Sequence, residues 1–147
     1  MRVAVDVGTV RVGVAASDPA ASLAFPVMVV RRGRDDLTQI VEVAREREAV
    51  EVIVGLPQTL RGGESTSTQD ARAYAGALAA AVAPIPVRLV DERLSTITAA
   101  RQMRESGRNA KQSRTTIDAA AAVVVLETAL ETERLTGEPA GELVTLT

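Results

Sequence analysis

The stretch MRVAVDVGTVRVGVAASD, residues 1–18, decides the fold. Residues 2–5 form a short apolar run that meets a single acid, Asp6, and Gly8 and Thr9 follow at once. Residues 10–16 return to β-branched and small side chains. This is the pattern of two strands joined by a tight turn, with Gly8 supplying the positive φ that such turns need. Asp6 then ends a strand expected to be buried, where an uncompensated charge is expensive. A bound cation would compensate it; an acid that caps the turn is the plainer alternative.

Working outward, residues 23–30 form a third β-rich run containing Pro26, which places it at a sheet edge or on a bulge because proline cannot donate to the ladder. Residues 31–34 close that run, and Asp35 or Asp36 caps a helix to about residue 48, with Leu37, Ile40, Val41 and Ala44 as its apolar stripe. Residues 50–56 (VEVIVGL) read as a strand broken by Gly55 and ended by Pro57, followed by a polar, glycine-rich loop over residues 58–66. Thr66 or Ser67 starts a helix to about residue 82, and Pro84 and Pro86 bracket the turn into a strand over residues 87–90. Ser95 or Thr96 opens a helix that Gly107 stops, residues 108–116 are polar and aperiodic, and residues 117–130 form a helix apolar almost all round. The order predicts an α/β domain over residues 1–136, a mixed sheet of about five strands flanked by helices, with residues 137–147 as a flexible tail.

Composition narrows the chemistry. The 147 residues suit one domain, and they include neither cysteine nor histidine. Disulfides, thiolate or imidazole zinc sites, a Ser-His-Asp triad and histidine acid–base catalysis are all excluded. Catalysis must then rest on carboxylates, arginines, hydroxyls, backbone amides or a hard cation such as Mg²⁺ or Mn²⁺. No apolar run approaches the roughly 20 residues of a membrane span. The first strand begins without a signal peptide, so a cytoplasmic location and no membrane partner are expected.

The net charge is −2, unevenly spread: Arg93, Arg101, Arg104, Arg108, Lys111 and Arg114 face only Glu105, whereas residues 116–147 are acidic. A local basic segment can bind phosphates within an acidic chain, although a solvated helix face is the commoner reason for such a cluster. Three acids take similar places at element ends: Asp6 after the first strand, Glu92 after the fifth, and Asp118 before the run AAAAVVVL. In α/β sheets, sites form at the carboxyl ends of the strands.

The segments DVGTVRVGVAASD (residues 6–18), GLPQTLRGG (55–63), DERLST (91–96) and IDAAAA (117–122) resemble the signature motifs of the YqgF family, also called RuvX. The resemblance spans about residues 1–134 and implies an RNase H-like fold with a metal-dependent nuclease site. It places the catalytic, metal-holding triad on Asp6, Glu92 and Asp118, with one or two Mg²⁺ or Mn²⁺ ions. Its nucleic-acid-binding residues fall on Arg11, Arg93, Arg108, Lys111 and Arg114. Carboxylates holding metal ions about 4 Å apart can activate water and neutralise a phosphodiester without histidine. Val10 stands where the family often has a lysine, and KQSR at residues 111–114 is less basic than usual; both weaken the expected grip on phosphate. With Phe25 and Tyr74 as the only aromatics, readout by backbone and shape is expected over base stacking.

The implied role is processing the 5′ end of pre-16S rRNA, with structured RNA and ribosomal particles as partners. A Holliday junction resolvase acting on four-way DNA, or a non-catalytic, transcription-associated nucleic-acid-binding module, are the alternatives. An actin-like ATPase would need two lobes, which 147 residues do not supply. A monomer or weak homodimer is expected, with the edge strand at residues 23–30 as the one candidate dimer face.

Overall fold

The computed structural model describes residues 1–33, 35–57, 65–91 and 113–145, the last span without side chains before residue 119. Alternation in the opening stretch yields β1 (Arg2–Val7) and β2 (Arg11–Ser17), antiparallel with Val7 opposite Val12 and Asp6 opposite Gly13. The sheet extends outward from this hairpin. On one side β3 (Ala24–Arg31) pairs antiparallel with β2. On the other, β4 (Glu51–Leu56) pairs parallel with β1, and β5 (Val87–Asp91) parallel with β4. β6 (Glu142–Leu143) closes the far edge, antiparallel to β5, so the order is β3-β2-β1-β4-β5-β6.

Pro26 explains itself twice. β3 lies at the sheet edge, and its register with β2 shifts between Val14 and Ala15, leaving Val27 as the extra residue.

Helices α1 (Asp36–Glu46) and α2 (Thr66–Val82) cover one face of the sheet. The strands present Val3, Val5, Val12, Val14, Val52, Val54 and Leu89 to Ile40, Ala44, Ala75, Leu78 and Val82. Ser65, one residue before the expected caps, starts α2: its hydroxyl accepts from the Thr68 N–H, and Thr68 accepts from the Ser65 N–H. The Thr68 hydroxyl also donates to the Pro57 carbonyl, which ties the head of α2 to the end of β4.

The second face is covered by α3 (Ser113–Thr136). Ala122, Val125, Leu126 and Ala129 pack on Ala4, Ala15, Ile53 and Val90, small residues that let the helix sit close. Val124 is also buried, although it lies about 200° round the helix from Ala122, so burial is not confined to the sheet side. The helix begins at Ser113, inside the stretch expected to be aperiodic.

The chain's end is paired to the sheet. Residues 137–147 were expected as a tail, yet Glu142–Leu143 add a sixth strand, the Val144 N–H donates to the Val87 carbonyl, and Ala140 is buried. Gly141 permits this at φ +81°, where a Cβ would run into the Leu89 carbonyl. Among the described residues, no helix is long and apolar enough to cross a membrane.

Candidate active site at the β1–β2 turn

β1, β4 and β5 run parallel, so their carboxyl ends share one edge of the sheet. Asp6 lies at that edge. Val3 and Val5 belong to the core under α1 and α2, whereas Ala4 belongs to the core under α3, so alternation turns Asp6 to the α3 face. Its neighbour across the ladder is the buried Gly13, which brings no side chain against it. Asp6 is half-buried and makes no hydrogen bond or ion pair with any described residue. A partly desolvated carboxylate left without a protein donor suits a hard cation, which prefers oxygen ligands.

The turn after Asp6 is held from several directions. The Gly8 N–H donates to the Arg11 carbonyl at 2.9 Å. Gly8 is needed for proximity and not for conformation: its φ is not positive, and a Cβ would stand 2.6 Å from the Arg11 oxygen. Arg32, just past β3, grips the same turn through both backbone and side chain. Its N–H donates to the Val10 carbonyl at 2.8 Å, and its Nη1 donates to the Gly8 carbonyl at 3.1 Å.

Arg32 is itself fixed. Nη1 and Nη2 donate to the two Asp70 oxygens at 2.6 and 2.7 Å, a bidentate fork, and the guanidinium lies 5.1 Å from the Tyr74 ring centroid. The hydrogen bonds from Arg32 hold the Asp70 carboxyl below its ordinary value, and Asp70 in turn raises that of the guanidinium. Tyr74 donates at 2.8 Å to Asp36, an acid only 4% exposed in the first turn of α1. Burial first, and then that hydrogen bond, push the phenol well above its ordinary value. In the sequence, the doubled arginine closing β3 is the one local signal of this network; Asp70, Tyr74 and Asp36 carry none.

Of the expected site residues, the structure brings two to this turn: Asp6, and Arg11 at the exposed start of β2. Asp118 is placed only by its helix. Arg2, at the start of β1, donates at 2.8 Å to Glu133 near the end of α3, so α3 runs against β1 and its early turns lie toward Asp6. Position 118 is one turn before Ala122 in the row that meets the sheet. Arg114 shares the first turn of α3, with its side chain outside the described residues. Glu92, Arg93, Arg108 and Lys111 also lie outside them, as do the loop over 58–64 and the helix expected from Ser95. Among the described residues no group of three acids is assembled for a metal ion.

Comparison with known proteins accounts for this frame. A solved structure, "T. thermophilus RuvC in complex with Holliday junction substrate", superposes with a TM-score of 0.62 over 95% of this chain and all of that one. At 16% identity this likeness shows the fold alone, which is RNase H-like. In sequence, the chain is 47% identical over 149 residues to a protein of Nocardioides sp., covering 98% of this chain and 96% of that one. It is 50% identical over 151 residues to one of Thermobifida fusca, covering 98% and 95%. Both relatives carry the name "Putative pre-16S rRNA nuclease". Residues 1–132 match the family model of RuvX, described as Holliday junction resolvase, and the chain belongs to that family.

Proposed function

We propose that this protein is a metal-dependent nuclease that acts in the cytoplasm on the 5′ end of pre-16S rRNA. The observation that carries the reading is Asp6: a half-buried carboxylate without a partner among the described residues, at the carboxyl edge of an RNase H-like sheet, in a chain whose relatives bear that name. Asp6, Glu92 and Asp118 would hold one or two Mg²⁺ or Mn²⁺ ions. Position supports the set. Val90, near the end of β5, belongs to the core under α3, the face on which Asp6 lies, and α3 starts toward the same edge.

Hydrolysis joins a water oxygen to phosphorus, breaks the bond to the leaving nucleotide oxygen, and returns a proton to that oxygen. Bound metal supplies charge neutralisation and a more acidic water. The chain must supply carboxylates for it, and among the described residues no donor competes for Asp6. Arg11 stands at the turn to meet phosphate, and Arg93, Arg108, Lys111 and Arg114 would extend that contact along the strand.

Resolution of four-way DNA junctions is the second reading, favoured by the family's own description. It requires two sites acting on two strands and hence a dimer.

Both readings meet in one experiment. A labelled pre-16S leader RNA and a four-way DNA junction are incubated with wild type and Asp6→Asn in Mg²⁺, Mn²⁺ or EDTA. Cutting of the RNA that needs metal and is lost in the variant is the expected result. Paired nicks in the junction alone would replace it with the resolvase reading. Binding without cutting under every metal would leave a non-catalytic module.

A further inference from the structure

The carbonyl of Gly8 is turned toward Arg32. That guanidinium lies on the face of α1 and α2, held by the Asp70 fork and the Tyr74 ring, and its Nη1 donates to the Gly8 oxygen at 3.1 Å. A trans peptide is planar, so its N–H points opposite to its C=O. Among the described residues the cis bond is Ala83–Pro84, away from this turn. The N–H of Thr9 shares the plane of the Gly8 carbonyl. It is therefore aimed away from α1 and α2, toward the face of α3 on which Asp6 lies.

That donor is unused. Thr9 is exposed at the tip of the turn, and its N–H meets no acceptor among the described residues. The plane is also held on both sides: the Gly8 N–H donates to the Arg11 carbonyl at 2.9 Å, and the Arg32 N–H to the Val10 carbonyl at 2.8 Å. A donor fixed in advance needs no reorientation when charge develops beside it, which separates it from an ordinary exposed amide. Thr9 lies three residues past Asp6, so its nitrogen is within about 10 Å of the Asp6 α-carbon, close enough for one phosphate to sit between them.

We propose that the Thr9 N–H donates to a non-bridging oxygen of the phosphate cut at Asp6, and that Arg32 is the positioning residue that aims it. The proposal rests on the nuclease reading and adds a backbone donor to it. The N–H transfers no proton; it meets the negative charge that grows on that oxygen as water joins phosphorus. Arg32 acts only through the peptide, its own fork being spent on Asp70. Lysine could not replace it, because one planar guanidinium holds the fork and the Gly8 carbonyl together.

Proline at position 9 removes this N–H and little else. Neither Thr9 nor Val10 has a positive φ, which excludes turn types II, I′ and II′. In type I, the commonest that remains, the first central residue takes the φ that proline imposes. The test measures kcat and KM on a labelled pre-16S leader RNA in Mg²⁺, with a thermal melt of each protein. Thr9→Pro should melt at or above wild type and lose about 10²-fold, the loss falling on kcat and not on KM. Thr9→Ala, which keeps the N–H, should lose far less. Arg32→Ala should lower kcat well below its melting range, Arg32→Lys should recover little of it, and Thr9→Pro added to Arg32→Ala should cost little more. Wild-type kcat in Thr9→Pro, or equal losses in Thr9→Pro and Thr9→Ala, overturns the donor and leaves the nuclease reading standing. Should Thr9→Pro fail to fold, wild-type kcat in Arg32→Ala overturns it instead. A wild type that cuts under no metal removes the nuclease reading and the donor with it.

Discussion

Placing a methyl group on Gly8 tests the geometry of the turn that follows Asp6. In Gly8→Ala the new Cβ would lie 2.6 Å from the Arg11 carbonyl oxygen, against about 3.4 Å for an ordinary contact. That oxygen cannot simply retreat. It accepts the Gly8 N–H at 2.9 Å, and Arg32 pins the Gly8 and Val10 carbonyls at 3.1 and 2.8 Å. Opening the turn by the missing 0.8 Å or so stretches all three bonds. Overpacking of this kind costs about 1–3 kcal/mol, and a weakened hydrogen bond adds up to about 1. The stiffer unfolded chain offsets roughly 0.4–1 kcal/mol, because φ at Gly8 is one that alanine can adopt.

Strain therefore wins, by about 1–3 kcal/mol, which lowers the melting midpoint by about 3–10 °C in a chain of this size. Urea and thermal unfolding of the two proteins measure it. Because Asp6 is two residues away, a displacement near 1 Å should also cost about 10²-fold in metal-dependent cleavage. A variant as stable as wild type or more so would refute the close approach, whatever happens to activity.

Other consequences follow from the network behind the turn and from the last strand. Tyr74→Phe leaves the buried Asp36 carboxylate without its donor and should cost about 2 kcal/mol, or about 4–8 °C in melting. As the only tyrosine, Tyr74 should show no ultraviolet ionisation in the native state at about pH 10, and its stabilising contribution should decline as pH rises above that; a native titration near 10 would contradict the burial. Asp70 has its carboxyl depressed by Arg32, so its contribution is present above about pH 4 and fades as pH falls; Asp70→Asn should trail wild type at pH 7 and converge on it in acid, and a gap independent of pH would deny the pair. Gly141→Ala should detach β6, seen as faster proteolysis beyond residue 137 with the rest of the domain protected.

Period-two alternation made the opening hairpin legible, because one buried face fixes the register of a strand. Asp6 stood out for the same reason, as the acid that interrupts a pattern of valines. Where the reading missed, the cause is physical. Gly8 is required by a carbonyl three residues on, a proximity that no propensity encodes. The cap of α2 is Ser65, which exchanges bonds reciprocally with Thr68, whereas the sequence offers the same spacing of capping residues at Thr66 and Gln69. Polar residues 113–116 continue α3 backwards without an apolar stripe, and a two-residue strand such as β6 has no period to detect. Arg32 was invisible as a clamp because Asp70 lies 38 residues away, and Tyr74 and Asp36 are separated by the same interval.

The adjacent arginines at the end of β3 show how one alternation serves two needs. Arg32 turns to the face of α1 and α2, where Asp70 and Tyr74 neutralise and shield its charge, and it spends that charge on the backbone of the turn. Arg31 turns to the face of α3, where Asp6 lies and no described acid meets it. A chain without histidine has to do phosphate chemistry with fixed charges, which makes their placement decisive. Consecutive residues at the end of the strand separate the positions cleanly: one arginine holds the turn rigid, and the next lies exposed on the face of Asp6. Exchanging their faces by a one-residue slip would bury an unpaired charge on one side and release the turn on the other, so the register of β2 and β3 is part of the site.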